Sequence, residues 1–113
     1  MAINNKSYNP VCIIGIIAAE DLPANRFVGF DGGLCSDGDK SLGVSEVRFD
    51  ENENSAIIVL GIAAVETEEE ITAGSMVTSG IDGKAKTVSE GDALNGYSLD
   101  NAPTGGFIRV KLV

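Results

Sequence analysis

Histidine and tryptophan are absent from this 113-residue chain, and basic residues are scarce: eight Lys and Arg stand against 17 Asp and Glu, for a net charge of −9. Without histidine the chain lacks the commonest general base and a favoured ligand for transition metals. Any chemistry would rest on carboxylates, lysines, two tyrosines and two thiols. No Ser or Cys has a histidine to activate it as a nucleophile. Four Phe and two Tyr make a thin supply for a sugar-stacking platform. The excess of negative charge repels phosphate backbones and anionic bilayers alike, which argues against a nucleic-acid or membrane partner. There is no basic n-region, 18-residue apolar run or lipidation signal. These absences lead us to expect a soluble, unexported, non-enzymatic chain with no cofactor or bound metal. Cys12 and Cys35, a lone pair without a signal peptide, are expected to be two buried thiols and not a disulfide.

What the chain has in abundance is glycine, fourteen residues that punctuate short runs rich in Val, Ile and Thr. That pattern predicts an all-β fold of many short strands, a small barrel or sandwich in one domain. "FIRVKLV", 107–113, alternates cleanly, which predicts a half-buried strand near a sheet edge with Ile108, Val110 and Leu112 inward and Arg109 and Lys111 outward. "VCIIGII" from Val11 and "AIIVLGIAAV" from Ala56 are continuous apolar runs and are expected to form the core. The segment 62–73, "IAAVETEEEITA", has no sustained helical face and holds at most one turn. "MAINNKSYNP", 1–10, is polar and aperiodic and is expected to be a flexible N-terminal arm, leaving 11–113 as the β domain.

Several stretches come close to a chemical motif without meeting it. "GSMVTSGIDGKA", 74–85, has glycines and a lysine, but Thr78 stands where a phosphate loop needs its first glycine and Ala85 where it needs a hydroxyl. It is expected to be a strand, a turn at Asp82-Gly83 and a return strand, with Lys84 facing solvent. "DENENSAIIVLG", 50–61, matches the first three ligand positions of a calcium loop. Ser55 replaces its obligatory glycine, and Gly61 its bidentate glutamate. Glu68-Glu69-Glu70 is expected to be a solvated loop. "DGGLCSDGD", 31–39, brings three carboxylates into one flexible loop. It is the basis for an alternative in which a small β module binds a carbohydrate or a cation through Gly/Asp loops.

The chain also echoes itself. Leu22–Val28 lies over Ile71–Val77, Asp31-Gly32 answers Asp82-Gly83, and Leu42–Ser45 answers Asn95–Ser98, the offset growing from 49 to 51 to 53 residues. Both copies close on an apolar strand, 56–61 and 106–113. An internal duplication with two-residue insertions in its loops would produce this pattern.

The order of these pieces resembles a known family. Ala24–Gly32, Ile71–Val77, Asp82–Ala85, Asn95–Ser98 and Gly105–Val113 together resemble the small decoration, or cement, proteins of tailed-phage heads, over nearly all of the chain after residue 10. The resemblance implies a small β-barrel or β-sandwich, made in the host cytoplasm and placed on the outer face of the virion. There it would tie major capsid protein subunits together against internal DNA pressure. It further implies a homotrimer, and an N-terminal arm that adds a strand to the capsid protein by β-augmentation. Here the arm would use Ala2, Ile3, Asn4, Asn5, Lys6, Ser7 and Tyr8. No catalytic residues are implied.

Overall fold

The computed structural model of the protein describes residues 9–113. They form eight strands: β1 (Pro10–Ile17), β2 (Arg26–Val28), β3 (Gly43–Ser45), β4 (Asn54–Glu66), β5 (Met76–Ser79), β6 (Ala85–Thr87), β7 (Gly96–Ser98) and β8 (Phe107–Leu112). A 3-10 turn, Ile81–Gly83, joins β5 to β6, with Asp82 in the left-handed region at φ 57°. The all-β expectation holds, and the 74–85 stretch is strand, turn and strand. Strand order in the sheet is β2-β3-β4-β8-β7-β5-β6, with β1 paired to β4. β1 takes in Pro10, the last residue of the expected arm. As the first residue of a strand it occupies a position where its missing N–H is tolerated.

The echo in the sequence is a repeat in hydrogen-bonded register. Phe27↔Val44 and Val28↔Gly43 in β2–β3 become Met76↔Tyr97 and Val77↔Gly96 in β5–β7. Val44↔Ile58 and Ser45↔Ile57 become Tyr97↔Lys111 and Ser98↔Val110. The isolated bridges agree as well, Leu22↔Phe49 answering Ile71↔Ala102. So do loop bonds: Ala18 N–H to Glu53 O answers Thr67 N–H to Gly106 O, and Ala19 N–H to Gly32 O answers Glu68 N–H to Ala85 O. β1 also has a counterpart. Ile13↔Ile58 through Ile17↔Asn54 match Ile62↔Lys111 through Glu66↔Phe107, so β1 occupies in the first repeat the place of the C-terminal half of β4 in the second.

β4 therefore belongs to both repeats. Its N-terminal half pairs with β1 and β3, and its C-terminal half with β8. Between the halves sits Gly61 at φ 105°, a conformation open to glycine and strained for other residues. There the strand leaves one repeat and enters the next. Two clusters fill the interior. One joins Ala18, Leu22, Val28 and Ile57 with the half-buried Ile16, Leu34, Phe49 and Val59. The larger one contains Val65, Ile71, Val77, Ala102, Ile108, Val110 and Leu112 of the second repeat, together with Phe27, Val44 and Ile58 of the first.

Three expectations are corrected. "VCIIGII" is a strand but not core, because among the described residues β1 pairs only with β4 and none packs on its outer side: Val11, Ile13 and Ile17 are all more than half exposed. Cys12 is carried into solvent with it, while Cys35 is buried. β8 alternates as expected, yet it lies between β4 and β7 and not at an edge. Its polar residues mark an uncovered face.

The repeats share one steric requirement. A Cβ at Gly43 would run into the backbone carbonyl of Ile58, and one at Gly96 into that of Lys111, in both cases on the neighbouring strand. Gly43→Ala and Gly96→Ala should each destabilise the fold by roughly 1–3 kcal/mol. Urea denaturation reads this as a lower midpoint at unchanged slope. An unchanged midpoint would contradict the close strand approach.

Candidate interaction surfaces

The contact between the repeats shows how this chain builds an interface. Phe27, Val44 and Ile58 form one cross-strand row on the outward face of the first repeat. All three are buried against the interior of the second, which includes Ala63 and Val65. Asn25 closes the contact at the free edge of β4. Held in the left-handed region at φ 62°, it accepts from Glu66 N–H at 3.0 Å and donates its side-chain amide to Ala64 O at 3.2 Å. Asparagine suits both tasks, since its short amide tolerates that conformation and supplies a donor. Beside it, Arg26 pairs with Glu66 at 3.2 Å and donates to Asp82 O at 3.1 Å, and Lys84 reaches Glu66 at 3.7 Å. Lys84, expected to face solvent, is only one-third exposed because of this pairing.

Cys35 lies in the same buried region. Burial pushes its thiol above the ordinary value of 9.0; the Ser79 hydrogen bond and Lys40 oppose that rise, and the charges of Asp39 and Asp31 add to it. Its Sγ donates to Asp39 O at 3.4 Å.

Two apolar surfaces are left open. On β1, Val11 is 72% exposed, Ile17 60%, Ile13 51% and Ile14 37%, whereas Ala63, the repeat counterpart of Ile14, is fully buried. On the second repeat, Met76 is 49% and Tyr97 38% exposed, although their counterparts Phe27 and Val44 are fully buried. Strand alternation places Ile14 and Ile16 on the side of Ile57, toward the interior, and Ile13 and Ile17 on the side of Ile58; fully burying an aliphatic side chain is worth about 1.5–3 kcal/mol. A shallow recess lined by Val11, Leu60, Gly61, Ile62 and Leu112 continues the open surface of β1 toward the second repeat. Sequence analysis missed β1 as a surface, since a run of apolar residues looks like core whichever side is covered. The signal lay in the repeat itself: carried backward by the same offset, it lays "VCIIGII" on "LGIAAVE", 60–66.

The acidic loops are occupied locally. Asp31 accepts from Gly33 N–H at 3.0 Å, and Asp37 is paired with Lys86. Asp37 holds the Lys86 ammonium above its usual range, mainly through that hydrogen bond. Residues 50–53 form a tight turn in which Asp50 N–H donates to the Glu53 carboxylate, and Asn54 onward is already strand. The calcium-loop spacing is thus pulled straight. Glu68 accepts from Ile81 N–H at 2.6 Å and Glu69 from Thr87 N–H at 3.1 Å, so two of the three acids in that run hold loops together. Among the described residues no group of three or more Asp, Glu or Cys is arranged to hold a metal ion, and no helix is long and apolar enough to cross a membrane. Ala2, Ile3, Asn4, Asn5, Lys6, Ser7 and Tyr8 lie outside the described residues.

Against this geometry the chain was compared with known proteins. No family model matches it, and no curated protein matches its sequence. Among solved structures, the head fiber gp8.5 N base of bacteriophage phi29 superposes with a TM-score of 0.77 at 17% identity, covering 90% of this chain and 93% of that one. The two chains share one fold. The superposition takes in both repeats, since so large a share of the chain cannot be matched by either alone.

The buried thiol yields a prediction. Iodoacetamide at alkaline pH should leave Cys35 unmodified in the folded chain and label it in urea, as read by peptide mass. Because its folded pKa is raised, the unfolded chain releases that proton first. Stability should therefore fall as pH climbs above about 9. Ready labelling of Cys35 in the folded chain would contradict its burial.

Proposed function

We propose that this chain is a non-enzymatic structural protein of a phage virion, bound as a homotrimer to the outer surface of the head, where it stabilises contacts between major capsid protein subunits. One observation carries the proposal: the fold, across nine-tenths of the chain, is that of a phage head fiber base. The resemblance in motif order to phage decoration proteins, seen in the sequence alone, points the same way. Supporting both is a surface with exposed apolar patches and a net charge of −9, which suits a protein that binds protein and stays away from the packaged DNA. In this reading residues 2–8 form the arm that engages the capsid protein by adding a strand, and many weak copies together stiffen the shell. The carbohydrate or cation alternative draws less support, because of its three carboxylates Asp31 already accepts from Gly33 N–H and Asp37 is paired with Lys86.

Co-sedimentation of the purified chain with undecorated shells of its own phage tests the proposal. Saturable binding and a raised temperature of shell disruption are expected. A chain lacking residues 1–8 should bind at least tenfold more weakly, equivalent to a loss of about 1.4 kcal/mol. No binding by the full chain would overturn the function, and full binding by the shortened chain would overturn the arm.

A further inference from the structure

We infer that β1 is the receiving face of a head-to-tail contact with a second copy of this chain, whose outward β5–β7–β8 face covers it as the first repeat covers the second. The inference deepens the homotrimer reading and rests on it only for the number of copies.

Within one chain, the outward row Phe27–Val44–Ile58 of the first repeat packs onto the interior of the second, and there Ala63, Val65, Ala102 and Leu112 are all buried. Each partner in that contact has a counterpart that is unused. The counterpart of the covering row is Met76–Tyr97–Lys111, joined by the same register and exposed on the second repeat. The counterparts of the covered residues are Ile14, Ile16, Phe49 and Val59, all incompletely buried on the first repeat. One chain therefore carries a used interface in the middle, an open covering face at one end and an open receiving face at the other.

Side-chain chemistry at the open faces fits this pairing. Ile14 and Phe49 are larger than their counterparts Ala63 and Ala102, so the receiving face presents more apolar surface than the one already covered. On the covering face, Met76 and Tyr97 keep the apolar bulk of Phe27 and Val44, and the stem of Lys111 can lie along Ile58's place with its ammonium in water. At the strand edge, Glu66 N–H donates to Asn25 O inside the chain. Ile17 is the counterpart of Glu66, and Gly74 that of Asn25. Gly74 N–H donates to Ser98 O as Asn25 N–H does to Ser45 O, at 2.7 and 2.6 Å, so the same carbonyl is presented. The Arg26–Glu66 ion pair is replaced by Ser75 and Ile17, so the strand-edge rim of the contact between copies carries no such pair. Because the two faces differ, the contact is heterologous, and it closes into a ring in which every repeat covers the next.

Light scattering on the full chain and on two single variants tests this. Wild type is expected at three times the chain mass. Ile14→Asp, on the receiving face, and Tyr97→Asp, on the covering face, should each be monomeric with wild-type circular dichroism. Ile17→Arg serves on the receiving face if Ile14→Asp does not fold. Mixed in equal amounts, the two variants should form a dimer, because each retains the face that the other has lost. A monomeric wild type would overturn both this contact and the trimer. An oligomeric wild type that either folded variant leaves intact would overturn this contact alone. Monomeric variants that fail to combine would overturn its head-to-tail character.

Discussion

β4 is hydrogen-bonded into two repeats at once, and the rest of the fold is arranged about that fact. Its Ile57 and Ile58 face opposite sides of the first repeat, one in each apolar cluster, and its Ala63 and Val65 enter the core of the second. The thirteen-residue strand can do this because Gly61, at φ 105°, turns it between the repeats. Losing β4 would remove the central strand of one sheet half and the edge of the other. The larger core takes Phe27, Val44 and Ile58 from the first repeat, so the two repeats are expected to unfold together.

The two repeats are alike in register and unlike in cover. Gly43 and Gly96 make the same close approach, and Leu22↔Phe49 and Ile71↔Ala102 the same bridge, so local geometry was kept through the duplication. Burial differs, because the second repeat has the first packed on it and, among the described residues, none packs in the same way on the first. Isoleucine and valine stand on β1 where charge or proline would be the usual protection of a strand edge. Only Pro10 guards its start. An apolar strand maintained in water by an otherwise acidic chain is most simply a surface that is covered in the assembled state.

Much of this architecture was legible in the sequence. Short Val- and Ile-rich runs between glycines gave the strands, the alternation of Phe107–Val113 gave an inward and an outward face, and the matches at offsets 49 and 53 located the repeat; Asp31-Gly32 does not answer Asp82-Gly83, because the counterpart of Gly32 is Ala85. The phosphate-loop and calcium-loop patterns each fail at two positions, and the first stretch is strand, turn and strand while the second is a tight turn leading into β4. What could not be read was which side of an apolar strand is covered. "VCIIGII" and "AIIVLGIAAV" have the same composition, yet β4 has strands on both flanks and β1 on one. The role of Asn25 was equally hidden, since a single left-handed asparagine carries no signal until the edge it seals is in place. Cys12 followed β1 outward for the same reason. The central place of β8 was missed because Arg109 and Lys111 look like edge protection when they in fact mark the open outer face.

The functional account joins the fold shared with a phage head fiber base to the apolar surface left exposed on β1 and on the outward side of β5 and β7. Its central claim is that the face left open on β1 is closed by another copy. Hydrogen–deuterium exchange followed across protein concentration tests this most directly, because peptides spanning Val11–Ile17 and Ser75–Tyr97 report on the two faces in the same sample. The account predicts that both become protected together as concentration rises, while peptides around the internal Phe27 and Ala63 contact do not change. Exchange at β1 that is fast and independent of concentration would contradict it.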